Sequence, residues 1–254
     1  MMDKLLLILQ SLRRSRVWLS IFRREGLPQT EADRLAMNRR NFCVHILPAK
    51  IHKESARLSY NWLWMGVTST WLFLILVITG VFLMFYYVPS AERAYDSIRE
   101  IVNAVPLGRL IRNMHKWAAE LMVFAVFFHM LRVFFTGSYQ RPREFNWVIG
   151  VLLLVITVLF AFSGYILPWD QLGYYAAKIA SNIADGTPFI GPYVKQILLG
   201  GTDLWQPSLL RWYVIHVFVL PMAMIFLIAF HFWRIRKDEY SKPYWAEKPE
   251  RKRR

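Results

Sequence analysis

His115, His129, His216 and His231 fall as two pairs inside apolar stretches, fourteen residues apart in the first pair and fifteen in the second. On an α-helix fourteen residues make nearly four turns, so the members of a pair share roughly one face, about 21 Å apart along the axis. Two such helices lying antiparallel set one pair against the other at two depths. The result is two His–His sites, one above the other across a membrane. Imidazole on both sides of an iron is how a protein holds a haem that carries electrons and binds no oxygen. A histidine in an apolar helix can also be simply hydrogen-bonded to a neighbour, but ionisable groups inside a membrane are costly and mark function. Zinc is the other candidate ion; it asks for three or four ligands converging at one depth, and each depth here offers two.

Glycines repeat the interval. Gly66 and Gly80 are fourteen residues apart, as are Gly150 and Gly164. A flat macrocycle pressed against a helix needs a missing side chain at its depth, although glycine also serves ordinary close packing of membrane helices. Haem propionates are carboxylates, which the arginine fork pairs well. Arg112 lies one turn before His115, Arg132 one turn after His129, and Arg236 just past His231. Each also suits a snorkelling anchor at the end of a span.

The elements that must position these residues are transmembrane helices. The chain has 254 residues, is 56% hydrophobic and has a mean hydropathy of +0.27, against about 45–50% apolar for a soluble domain. The excess sits in four runs, near 62–87, 116–135, 148–167 and 213–233, each long enough for the roughly 20 apolar residues a crossing takes. No internal sequence repeat is present. The expected fold is an all-α membrane protein: a four-helix transmembrane bundle with an N-terminal amphipathic surface helix. The dihaem domain is expected over 59–236, between a basic lead-in at 1–58 and a basic tail at 237–254.

The formal charge of +15 does not point to nucleic acid, because of where it lies. Twelve Lys and Arg precede the first span, nine follow from Arg234 onward, and Arg141 and Arg143 occupy the loop between spans two and three. Positive flanks stay on the cytoplasmic side, so both termini and this loop are expected inside. The stretch 5–24 reads as an amphipathic helix on the inner surface, with a disordered tail as the alternative. No cleavable signal peptide is recognised: Leu5–Leu9 is short, and Arg13, Arg14 and Arg16 follow at once. Cys43 is the single cysteine, so no internal disulfide or Cys-based metal site can form.

The outer connections carry further expectations. Charges at helical spacing over 91–109 suggest a surface helix. The 168–212 segment is long for a mere connection, and such segments are usually functional. Asp170 is a candidate for proton handling or simply the cap of the next helix. Pro221, between the last two histidines, is expected to kink its helix.

Over about 58–240 the chain resembles the cytochrome b family, in its short four-helix form, cytochrome b6. The resemblance rests on Ile78-Thr79-Gly80 through Phe85-Tyr86-Tyr87, Arg112-Asn113-Met114-His115-Lys116-Trp117, His129-Met130-Leu131-Arg132-Val133, Arg141-Pro142-Arg143-Glu144, and Ser163-Gly164-Tyr165-Ile166-Leu167-Pro168-Trp169-Asp170-Gln171-Leu172-Gly173-Tyr174. It implies a dihaem subunit of a quinol:cytochrome c oxidoreductase, with two non-covalent haem b groups. His115 and His216 would hold an outer, low-potential haem; His129 and His231 would hold an inner, high-potential one. It implies quinol oxidation near the outer surface, with one electron passing to a Rieske iron–sulfur protein and on to a c-type cytochrome. The other electron crosses to quinone at the inner surface. It also implies a dimeric complex in a bacterial inner membrane. Pro168, Trp169, Asp170 and Tyr174 hold the family position of the outer quinol site, and Arg236 is a candidate for the inner one. The other redox reading is a dihaem quinone-reactive anchor of a different respiratory oxidoreductase; the non-redox reading is a transporter.

Two departures from the family stand out. The later helices are absent from this sequence, so either a separate subunit is expected to supply them or this chain does not complete such a site. The cysteine that tethers an extra c-type haem in cytochrome b6 falls at Trp64, and Cys43 lies 21 residues upstream, so no covalent haem is expected.

Overall fold

The computed structural model describes residues 62, 64–201, 203–238, 240 and 241. The amphipathic helix expected over 5–24, the lead-in at 1–58, Cys43 and most of the tail lie outside the described residues. The described chain forms helices and turns: α1 (Met65–Met84), α2 (Ala94–Asn103), α3 (Gly108–Phe135), α4 (Glu144–Ile166), α5 (Gln171–Asp185), α6 (Gly191–Leu199), α7 (Gln206–Val214), a π-helical turn (Ile215–Val219) and α8 (Leu220–Asp238). The chain is an all-α membrane protein. Four helices are long and apolar enough to cross a bilayer: α1, α3, α4 and the continuous run Gln206–Asp238. These match the four expected spans, but the second begins eight residues earlier than its apolar core, at Gly108, so that His115 sits within the helix. Only 11–28% of the most apolar stretch of each span is buried within the chain. Helices this apolar with so little internal burial present their side chains to lipid or to other subunits.

The chain divides into two compact units. The larger comprises Trp62–Arg132 and Val151–Ile225, and parts of all four spans meet in it. Gly80 of α1 faces the His115 ring of α3. His115 faces His216 of the last span. Gly164 of α4 faces His216. Phe73 of α1 meets Phe160 of α4 edge-on, with centroids 6.5 Å apart. These contacts close a four-helix bundle, and Gly66 against His129 together with Gly80 against His115 make α1 and α3 antiparallel.

The long connections of this unit are packed rather than loose. The α2 helix buries Ala94, Ser97 and Ile101, and Ala94 and Ile101 form a cluster with Tyr87 and Leu209. The surface helix expected in 91–109 is thus present and amphipathic. The Tyr87 hydroxyl donates to the Leu167 carbonyl at 2.6 Å. The Gln206 amide clamps the α1–α2 connection, accepting from Ala91 N at 2.6 Å and donating to the Pro89 carbonyl at 2.8 Å. The α5–α6 hairpin, tied by Lys195 and Asp185 at 2.9 Å, packs Ala177 and Leu199 with Ile166, Leu204 and Trp212. Leu167 and Trp169 touch both clusters, so the end of α4 is pinned from two sides.

The smaller unit comprises Met1–Asn61, Val133–Gly150 and Phe226–Arg254. Among its described residues Phe145 meets Phe230 edge-on at 5.9 Å. Ser138 and Ser241 share a buried hydrogen bond of 2.6 Å. Arg234 pairs with Asp238 at 2.6 Å, one turn apart, with both side chains largely removed from solvent.

Candidate haem site

The decisive contact lies between α3 and the last span. The imidazoles of His115 and His216 face each other with ring centroids 6.4 Å apart and planes inclined by 68°. Two imidazoles on opposite sides of one metal ion, at metal–nitrogen distances of about 2.0–2.1 Å as for other first-row metals, place their centroids roughly 6.3 Å apart. The gap therefore has the size of bis-histidine ligation. Axial ligation also requires each ring to turn a bare nitrogen inward, which means the other nitrogen must carry the proton. Nδ1 of His115 lies 2.8 Å from the Thr79 hydroxyl, and Nδ1 of His216 lies 2.9 Å from the Ser163 hydroxyl. On both rings Nε2 is the nitrogen left for an iron.

Glycine makes the approach possible. A Cβ on Gly164 would stand 2.8 Å from Cε1 of His216, and one on Gly80 would stand 3.2 Å from Cε1 of His115. Gly66 does the same for His129, where a Cβ would meet Cε1 at 2.9 Å. Three of the four expected glycines thus lie directly beneath a candidate ligand, and the room they leave is taken first by the imidazole. Gly150 is buried in α4. Phe160 also touches His216, edge-on at 5.5 Å.

The fifteen-residue interval has a local explanation. About 100° per residue leaves fourteen α-helical residues about 40° short of four turns, whereas fifteen overshoot by about 60°. The π-helical turn begins beside His216, with Leu220 N bonded to the Ile215 carbonyl five residues back. A π turn adds one residue without advancing the helical register, so fifteen residues here carry the rotation of fourteen. The turn also lies directly before Pro221, whose ring and missing N–H disfavour an ordinary α turn at that point.

The remaining candidates occupy distinct settings. Arg132 is 3% exposed; Arg112 and Arg236 are half-buried. His231 is half-buried, and its Nδ1 finds no hydrogen-bond partner among the described residues. Among the described residues no three or more His, Cys, Asp and Glu side chains converge on a possible metal position. The donor set at the site is two imidazoles, which suits a macrocyclic iron rather than tetrahedral zinc.

A match between a family model, described as cytochrome b/b6/petB, and residues 50–239 covers most of the chain. The chain belongs to the cytochrome b family. Cytochrome b6 of Heliomicrobium gestii is 45% identical over 180 residues, 70% of this chain and 84% of that protein. Cytochrome b6 of Synechococcus elongatus is 44% identical over 178 residues, 70% of this chain and 82% of that one. A chain of a hyperthermophilic respiratory Complex III superposes with a TM-score of 0.66 at 31% identity; the match covers 74% of this chain and half of that one. The family places the chain among haem-binding electron-transport proteins of the membrane, and haem b is the family's cofactor.

The loop candidates of this cytochrome b are only partly brought together. Trp169 and Asp170 line an open depression of about 490 Å³ with Tyr95, Gln171 and Leu172; Pro168 and Tyr174 do not line it. Tyr174 instead packs edge-on against Trp169 at 5.7 Å. Trp169 has φ of 52°, a left-handed conformation that costs a non-glycine residue about 1–2 kcal/mol. Such outliers cluster at functional sites. Asp170 caps α5, accepting from Gly173 N at 2.8 Å, which is the second of its two expected roles. Tyr95, Thr79 and Ser163 were not singled out by sequence. The last two had a signal: each is the hydroxyl residue directly before a site glycine. At the tether position, Trp64 is the N-cap of α1, with φ of 58°.

Proposed function

We propose that the chain is the dihaem cytochrome b subunit of a quinol:cytochrome c oxidoreductase. The observation that carries this reading is the His115–His216 gap of 6.4 Å between rings, closed by glycine on α1 and α4. When bound, each haem b supplies a one-electron couple. His115 and His216 hold the outer haem, and His129 and His231 hold the inner one. Arg112, Arg132 and Arg236 pair with propionates. The glycines let the rings and macrocycles seat against α1 and α4. At the outer surface, the depression beside Trp169 and Asp170 receives the quinol headgroup, and Tyr95 belongs to its wall. The inner end takes quinone.

The partners are a Rieske iron–sulfur protein and a c-type cytochrome, assembled as a dimer in a bacterial inner membrane. Both haems are non-covalent, because Trp64 stands where the tethering cysteine would be. The test is haem extraction from the purified membrane complex and its variants. The parent is expected to yield two b haems per chain. His115→Ala and His129→Ala are each expected to retain one, with different absorption maxima. Two haems in either variant would refute the ligand assignment.

A further inference from the structure

Thr79 and Ser163 are fully buried, 5% and 0% exposed, and each hydroxyl has one proton to give. Thr79 gives its proton to the Ile75 carbonyl at 2.7 Å, and Ser163 to the Phe160 carbonyl at 3.1 Å. With its proton on a helix carbonyl, each hydroxyl oxygen is free to accept from the Nδ1–H of the histidine beside it. The two residues sit in matching dipeptides, Thr79-Gly80 on α1 and Ser163-Gly164 on α4. In each, the glycine admits the ring and the hydroxyl takes its Nδ1 proton. The corresponding residues before Gly66 and Gly150 are Met65 and Ile149, whose side chains cannot do this.

We infer that Thr79 and Ser163 are positioning residues for a single haem, fixing the Nδ1–H tautomer of His115 and His216 and lowering the potential of the iron those rings hold. This rests on the reading of His115 and His216 as haem ligands. An acceptor on Nδ1–H makes the opposite nitrogen a stronger donor to the metal. A stronger donor favours the ferric state and lowers the midpoint potential. Neither hydroxyl acts on the second haem, so the device separates the two potentials. Its direction agrees with the assignment of this pair to the lower-potential haem.

The test is redox titration, with haem counting, of the purified complex in four forms: parent, Thr79→Val, Thr79→Ser and Ser163→Ala. Thr79→Val keeps the shape and removes the acceptor; Thr79→Ser restores it. In Thr79→Val and in Ser163→Ala the same one of the two haems is expected to rise in potential, the other staying put. A tenfold weakening of the ferric preference reads as a rise of about 59 mV for a one-electron couple. Thr79→Ser is expected to return to the parent value. Selective loss of that one haem in Thr79→Val, regained in Thr79→Ser, supports the inference equally. Two haems with unchanged potentials in both Thr79→Val and Ser163→Ala overturn it, as do shifts in different haems or a Thr79→Ser that behaves like Thr79→Val. A parent complex without haem would instead overturn the ligand reading beneath it.

Discussion

Space around the imidazoles is set by missing side chains. Gly164 leaves less room than Gly80: an added methyl would come within 2.8 Å of His216 in the first case and 3.2 Å of His115 in the second. Overfilling a packed interior costs about 1–3 kcal/mol, and the His216 ring also packs against Phe160, which restricts its freedom to yield. Gly164→Ala is expected to destabilise one haem by an amount in that range, and Gly80→Ala by less. Haem release from the purified complex during a thermal ramp checks the order. The reverse order would mean that the rings are not held as described. The histidines, glycines and their spacing were legible in the sequence because each interval repeats a helical period. The hydroxyls were not. Serine and threonine bond their own helix so often that Thr79 and Ser163 acquire meaning only once a histidine from another helix is seen 2.8–2.9 Å away.

Helix existence was legible in the sequence and helix detail was not. Apolar runs long enough to span a bilayer mark all four crossings, but hydropathy falls off over Gly108–His115, where Arg109, Arg112 and His115 continue α3 for two turns. Periodicity alone left the fifteen-residue interval unexplained. The π turn before Pro221 explains it, and inserting a second residue should undo the correction. One alanine added between Ile228 and Ala229 turns His231 by about 100°. The expected haem content then falls from two per chain to one; retention of both would contradict the register argument. Asp170 caps α5 through its side-chain acceptor. Asp170→Asn keeps the side-chain acceptor and is expected to leave stability unchanged, whereas Asp170→Ala loses about 0.5–2 kcal/mol by thermal unfolding of the complex. Quinol oxidation that survives in Asp170→Asn would confine the residue to that role; oxidation lost with the fold intact would show that the carboxylate handles protons.

At the scale of the whole chain, the charge distribution carries the expected direction. Basic residues crowd before α1, beside Arg141 and Arg143, and after Arg234, so by the positive-inside rule the His115–His216 end is expected outward. Reporter fusions at residue 140 and at the C-terminus are expected to read cytoplasmic, and a fusion at residue 187 to read external. The opposite pattern would exchange the outer and inner haems. Two ligand pairs about 21 Å apart along the helix axes would make the chain a conductor across the membrane rather than a catalyst alone. The measurement that tests this most directly is a potentiometric titration of the purified complex, run with haem extraction and a denaturing gel stained for haem. Two extractable b haems per chain with separate potentials, and no stain at 30.1 kDa, are the expected result. A stained band at that mass would place a covalent haem on Cys43, the chain's single cysteine, and no haem at all would contradict the dihaem account.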